Sequence, residues 1–403
     1  DSIAVANGDN VVLGDHGTAV LDATGKLLSI QTTSPAIGGN DTITSGTGND
    51  VVFGGAGNDG ITIVGGNNIV VGDNGYANFD VNGTLRDIGT QDPSIGGNDV
   101  ISTGTGNDIV FAGVADDTVT TTGGDNILLG DNGQATFDSL ARLINVTTNS
   151  AVNGGGDTIT SASGNDIVFG GSANDTITIA GGNNIVVGDN GTATFNTARR
   201  VVSLSTLDPA IGGNDQIQTG SGNDVIFGGV NNDTINTSGG NNVILGDNGQ
   251  ATFNATGAIL TLNTSDVANG GNDSITTGVG NDVVFGGSGR DTINVNNGRN
   301  IVLGDNGIAT FNGLGQVLTL DSSDSSVGDN DTITSGTGND VVFGGVGNDT
   351  INASDGRNVV LGDNGSAAFN AAGQILTVTT TSAVNGGADN ITTGTGDDVV
   401  FGG

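Results

Sequence analysis

Apolar residues arrive in threes along this chain, and each triplet follows a polar, glycine-rich turn. The stretch GGNDTITSGTGNDVVFGGAGNDGITIVGGNNIVVGDNG at 38–75 shows the rule, with Ile43, Val52, Ile61 and Val70 nine residues apart at the centres of successive triplets. Short runs of β-branched residues suit strands, and the glycines between them suit tight loops. No 3.6-residue period appears, so no helix is expected. Triplets 18 residues apart fall on one side of the fold. One side reads TIT and GIT (42–44, 60–62); its outer residues are Thr or Gly and are expected to face solvent. The other reads VVF and IVV (51–53, 69–71), whose flanking residues are apolar too, so their repetition makes a stripe that needs a cover.

The remaining segments supply a candidate cover. GDNGYANFDVNGTLRDIGTQDPSIGG at 72–97 and GDNGQATFNATGAILTLNTSDVANGG at 246–271 alternate apolar and polar residues around a glycine turn, which signals a hairpin. All 13 Phe fall in two phases, those of Phe53 and Phe79. The hairpin is expected to fold back on the VVF/IVV face, with Phe79-type rings near Phe53-type rings. In the rival arrangement it widens a third coil and leaves the stripe as a lateral contact between copies of the chain.

Every one of these features returns after 58 residues, without insertion or deletion. The chain therefore reads as one array: a partial repeat at 1–38, then 39–96, 97–154, 155–212, 213–270, 271–328 and 329–386, and a partial repeat at 387–403. It opens on Asp1 in mid-motif and shows no signal segment, so it is expected to be a processed product or a window of a longer array.

Composition sharpens this picture. Gly is 76 of 403 residues, aromatics are 3%, and Cys, Met and Trp are absent, so no large-side-chain core and no disulfide frame is possible. The formal charge is -35, and all 43 acidic residues are Asp. That balance excludes nucleic acid as a partner, and no apolar stretch is long enough for a membrane span. A merely solvating surface has no reason to choose Asp over Glu so completely, whereas a tight metal-binding turn does.

Four Asp phases hold 28 of the 43. Three are expected to ligate metal: Asp41, Asp99, Asp157, Asp215, Asp273, Asp331 and Asp389; Asp50, Asp108, Asp166, Asp224, Asp282, Asp340 and Asp398; and Asp1, Asp59, Asp117, Asp175, Asp233, Asp291 and Asp349. The fourth lies in the GDNG tetrapeptide: Asp15, Asp73, Asp131, Asp189, Asp247, Asp305 and Asp363. For it, a metal ligand and a turn residue are equal readings. Between the Asp, the loops SGTGND (45–50) and GGAGND (54–59) resemble the RTX, or haemolysin-type, nonapeptide repeat. The resemblance implies an all-β fold, a parallel β-roll with two nonapeptides per coil. It implies several Ca²⁺ per repeat, about two to four, held between successive coils by carboxylates and loop carbonyls. It also implies an extracellular or cell-surface bacterial protein, exported unfolded by a type I system.

Some positions depart from the motif. The fourth loop ends in Asn at Asn10, Asn68, Asn126, Asn184, Asn242, Asn300 and Asn358, which suggests weaker metal binding there or a role in satisfying backbone. Arg290, Arg299 and Arg357 stand just before the metal-type residue of their loops and could act as internal cations beside a vacant or weakened site, while Ala112 and Asp329 replace loop glycines. His16, the one His, takes the place of Asn in GDNG and reads as a turn residue. With no Cys, no Glu and one His, acid–base or nucleophilic catalysis has nothing systematic to work with, so no enzyme is expected. Three functional readings follow: a calcium-dependent structural rod or filament, which could pair with copies of itself; a folding and secretion module of a larger toxin or hydrolase; and an ice- or polysaccharide-binding solenoid.

Overall fold

The computed structural model describes residues 1–382 and 384–403, in two compact units, Asp1–Arg199 and Arg200–Gly403. Apart from one 3₁₀ turn at Ala151–Asn153, the regular structure is strand.

Each unit carries the same three sheets. Sheet A collects the TIT-type strands. In the first unit Ser2–Ala4, Thr42–Thr47, Gly60–Gly65, Val100–Thr105, Thr118–Gly123, Thr158–Ser161 and Thr176–Gly181 pair in parallel, with steps that alternate between 40 and 18 residues. Sheet B collects the VVF-type strands in the same parallel order, from Val11–Leu13 and Val51–Phe53 to Ile185–Val187. The second unit repeats both sheets, from Gln216–Ser221 and Val225–Gly229 onward. The expected β-roll is therefore present in each unit. Its core is thin: Ile43 and Ile61 of sheet A and Val52 and Val70 of sheet B are wholly buried, and Thr42, Thr44 and Thr62 face out.

A third, antiparallel sheet is built from the hairpins. Gly75–Phe79 pairs with Leu85–Thr90 inside one hairpin, and Leu85–Thr90 pairs with Gly133–Phe137 of the next. The second unit stacks its hairpins likewise. The two-stranded form of the insertion has a geometric reason. Neighbouring strands lie about 4.8 Å apart whatever their direction. Each 58-residue repeat adds two strands to sheet A and two to sheet B, so only an insertion that also adds two strands keeps all three sheets in step.

The hairpin sheet covers the apolar stripe, as the alternation predicts. Phe53, Phe111, Phe227 and Phe285 are wholly buried beneath it, as are the hairpin residues Ala77 and Ile88. A methyl placed on Gly365, where a hairpin begins, would lie 3.4 Å from the Phe343 ring, so the Phe53-type ring sits under the hairpin base. The Phe79-type ring is four strand residues further on, about 13 Å at the rise of a strand. Phe253, Ile259 and Phe311 line one crevice with Val225, Val243 and Val283, the first residues of their triplets. Phe369 of the same phase and Phe401 of the Phe53 phase line that crevice too.

Candidate metal centre

The coil has two edges, and the Asp phases divide between them. Asp41, Asp59, Asp99 and their copies stand where the chain enters sheet A. There each carboxylate Oδ1 accepts the backbone N–H of the corresponding Asp one coil earlier: Asp41 N–H to Asp59, Asp59 to Asp99, Asp99 to Asp117, Asp117 to Asp157 and Asp157 to Asp175, each at 2.7 Å. The ladder of the second unit runs from Asp215 through Asp233, Asp273, Asp291, Asp331 and Asp349 to Asp389, at 2.7–2.9 Å. Asp1 begins the first ladder with its terminal ammonium on Asp41 Oδ1.

The second oxygen is unsatisfied along most of this edge, as it is at Asp108 and Asp340 of the opposite edge. Oδ2 of Asp41, Asp59, Asp99, Asp117, Asp157, Asp273, Asp291, Asp331, Asp349 and Asp389 is buried and has no hydrogen-bond partner. Leaving a buried carboxylate oxygen unpaired is costly, so each invites a ligand. The glycine that follows each sheet B strand is what gives these oxygens room. A methyl on Gly54 would lie 2.4 Å from Asp59 Oδ2 and 2.1 Å from the Gly72 carbonyl oxygen of the next coil. On Gly286 it would lie 2.3 Å from Asp291 Oδ2 and 2.1 Å from the Gly304 oxygen. Gly72 and Gly130 face Asp99 and Asp157 in the same way, although a whole hairpin separates them in sequence.

The GDNG Asp explains how that separation is bridged. Asp73 accepts the N–H of Gly97, at the end of its hairpin, on Oδ1 at 3.0 Å, and the N–H of Val114 of the following coil on Oδ2 at 2.6 Å. Asp131 and Asp247 hold Gly155 with Ser172 and Gly271 with Ser288 in the same manner. Ala56 N–H on Asp15, Val346 N–H on Asp305 and Gly387 N–H on Asp363 belong to the same set. This phase is a clasp that draws the two ends of the hairpin together. Both oxygens of Asp73 are spent on backbone, which favours the structural reading left open in the sequence. His16 is an exposed turn residue whose carbonyl accepts Thr33 N–H at 2.7 Å.

The opposite edge, where the chain enters sheet B, is built differently. Its ladder alternates Asp and Asn: Asn10 N–H bonds Asp50 Oδ1, Asp50 N–H bonds Asn68, Asn68 N–H bonds Asp108 and Asp108 N–H bonds Asn126, at 2.8–3.0 Å. The Asn phase thus satisfies backbone. The Asp there also have a hydroxyl five residues earlier. Ser45 donates to Asp50 Oδ2 at 2.7 Å, Ser161 to Asp166 at 2.8 Å and Thr277 to Asp282 at 2.7 Å. Thr103 and Ser335 sit beside Asp108 and Asp340 without closing the bond geometry, yet still favour their charged forms.

Charge separates the edges further. Burial, then the neighbouring carboxylates Asp157 and Asp99, push the Asp117 carboxyl up to about 11. Burial and the neighbour Asp73 push Asp99 up to about 9. Asp59 and Asp349 rise to about 7, chiefly by burial. On the other edge burial raises Asp166 and Asp282, while hydroxyl and amide hydrogen bonds oppose it. A row of carboxylates about 4.8 Å apart carries a repulsion of about 3–4 kcal/mol per neighbouring pair at an effective dielectric of 20. It calls for a counter-ion.

Among the described residues no three His, Cys, Asp or Glu side chains converge on one point. A metal here must take carboxylate and carbonyl oxygens together, a donor set that suits a hard cation with a high coordination number. Ca²⁺ fits that description. It would be held by the orphaned Oδ2 atoms with the glycine carbonyls, and when bound it supplies the positive charge that the row lacks.

Two sequence expectations need correction. Arg290, Arg299 and Arg357 are not internal cations. Arg290 is largely exposed, 3.7 Å from Asp329; Arg299 donates to the Gly373 carbonyl in a hairpin turn at 2.6 Å; Arg357 borders the crevice. They sit in an outer ladder of polar residues one position before the buried one, where a guanidinium keeps its water. Asp329 is tolerated for the same reason, since its side chain is half exposed. Ala112 occupies the place of Gly54, makes the corresponding backbone bond to Leu129 and is wholly buried, so the alanine is tolerated at this loop position. The hydroxyl at five residues before each Asp50-type residue was legible as Ser or Thr in every copy, but only the structure gives it a partner.

A family model described as the RTX calcium-binding nonapeptide repeat (4 copies) matches residues 37–70, 95–128, 152–186, 210–250, 267–308, 326–366 and 384–403. No curated protein matches the chain. Among solved structures, the chain is similar to a hyperactive, Ca²⁺-dependent, β-helical antifreeze protein from an Antarctic bacterium, at 15% identity and a TM-score of 0.28, over 87% of this chain and 83% of that one. The family match covers more than half of the residues and recurs in phase with the ladders, so the chain belongs to the RTX calcium-binding nonapeptide repeat family and is a calcium-binding repeat protein.

Proposed function

We propose that this chain is an extracellular structural element of a bacterium, a calcium-set segment of a surface fibre, stalk or layer, and that it has no enzymatic role. The observation that supports this most directly is uniformity. Within each unit every coil repeats the same register, the same ladders and the same hairpin clasp. Such a chain offers constant mechanical properties from one repeat to the next. Calcium acts as the folding signal, because its binding free energy becomes folding free energy. Low cellular calcium would leave the chain extended and export-competent, and millimolar calcium outside would fold it. No helix among the described residues is long and apolar enough to cross a membrane, so attachment would run through other segments or partners, including further copies of the chain.

The test is small-angle X-ray scattering and electron microscopy of the full chain with and without millimolar calcium. Elongated particles of constant width with calcium, and a random-coil profile in chelator, are the expected result. A compact globule in calcium, or a hydrolytic activity of the purified chain, would overturn the proposal.

A further inference from the structure

We propose that the crevice beside the hairpins of the second unit binds a free single-chain anionic amphiphile, with its aliphatic chain laid along the stack and its head on Arg299 and Arg357. Neither calcium binding nor the structural role supplies such a ligand; it follows from what lines the crevice and what stands at its rim.

The crevice encloses about 1450 Å³. That exceeds the roughly 300–1000 Å³ of an ordinary small-molecule cleft, because it is drawn out. The strands that begin at Val225, Val243, Val283, Ile301, Val341 and Val359 all contribute to it. They are successive rungs of sheet B, so the crevice follows the stack for about 24 Å. The hairpins contribute Phe253, Ile259, Phe311, Val317, Phe369 and Ile375.

This lining suits a hydrocarbon better than a polymer. The sheet B strands pair with one another in parallel, and the hairpin strands pair antiparallel, so both sets of backbone groups are already spent. A peptide laid in the crevice would find few N–H or C=O groups to pair with, and a sugar chain few partners for its hydroxyls. An aliphatic chain asks for none.

The rim supplies the charge. Asn223, Asn241, Asn281 and Asn339 border the crevice, and Arg299 and Arg357 share their phase in the outer ladder. They are two of only eight basic residues in a chain with 43 Asp. Neither forms an ion pair with a carboxylate among the described residues. Arg299 gives one N–H to the Gly373 carbonyl at 2.6 Å, and a guanidinium has four more. Asp397 borders the crevice one coil beyond Arg357, so the head belongs nearer Arg299, whose ladder neighbours Asn281 and Asn339 are neutral. In the first unit the same phase carries Asn and Asp and no cation. A formal charge of -35 repels a whole anionic bilayer, whereas a single molecule meets only the local rim.

The test is isothermal titration of the full chain, at saturating calcium, with lysophosphatidylglycerols from decanoyl to myristoyl kept below their micelle concentrations. One molecule per chain is expected, with affinity rising about fourfold per methylene. Arg299→Gln with Arg357→Gln should weaken binding about tenfold and erase the preference over lysophosphatidylcholine, while its dichroism matches the parent. Ala258→Trp adds an indole where Ala258 lines the crevice and should weaken the longest chains most. No binding by the parent, affinity indifferent to chain length, or equal binding by the arginine variant overturns the proposal. So does sedimentation with phosphatidylglycerol vesicles in the absence of binding to the single-chain probe. All of these outcomes leave the calcium-set structural role standing, since that is decided by scattering with and without calcium.

Discussion

The two edges of each coil are made from nearly the same letters and are finished differently. SGTGND and GGAGND differ chiefly in whether Ser or Gly stands five residues before the Asp. With Ser45, the Asp50 carboxylate is completed by a hydroxyl at 2.7 Å, whereas Asp108 and Asp340, behind Thr103 and Ser335, keep an unpartnered Oδ2. With Gly, the carboxylate is left incomplete, a carbonyl moves in, and the turn depends on something from outside. The edge that enters sheet A also has twice the carboxylate density, so its demand for a cation is a property of the row and not of any one loop.

This contrast can be broken most forcefully by removing calcium. At neutral pH, chelator should abolish the β-signal of the whole chain, because one unfilled edge lies beside every coil; a chain that stays folded in chelator would show the orphaned oxygens to be harmless. Acid should partly replace the metal. The carboxyls of Asp59, Asp99 and Asp117 are raised to about 7, 9 and 11 in the fold, above the ordinary value near 4. The folded state therefore binds more protons than the unfolded one between about pH 4 and those values, and stability falls as pH rises through that window. The calcium-free chain is expected to gain β-signal on acidification from pH 8 towards pH 4.5; a gain in the opposite direction contradicts the assignment.

Smaller effects sharpen the comparison one loop at a time. Gly286→Ala puts a methyl against Asp291 Oδ2 and the Gly304 carbonyl. It should lower calcium stoichiometry by about one and raise the folding midpoint, as seen in dialysis and dichroism. On the other edge Thr277→Val strips Asp282 of its hydroxyl. The expected cost is about 1–3 kcal/mol in denaturant unfolding at saturating calcium, with the ion count untouched.

Much of this was legible in the residues. The nine-residue triplets and the 58-residue period follow from spacing, the roll from the resemblance to the RTX nonapeptide, and the hairpin cover was one of two arrangements that the alternation left open. The clasp at Asp73 was not legible. Its partners Gly97 and Val114 lie 24 and 41 residues away, and only the closed hairpin brings them together. The fate of Arg299 was equally hidden, since inward and outward neighbours alternate within one loop and the motif alone does not say which way a substitution points.

The commensurate hairpin has one more consequence, for inheritance. Two roll strands per side and two hairpin strands advance together, so gain or loss of a whole 58-residue block by recombination leaves every remaining contact as it was. A nine-residue slip exchanges the edges, placing hydroxyl loops where glycine loops belong. An 18-residue slip keeps the edges but pushes the hairpins out of step with the coils beneath them. Length in this lineage is therefore quantised: viable alleles should differ by multiples of 58 codons, and the array can be tuned in reach without ever being redesigned.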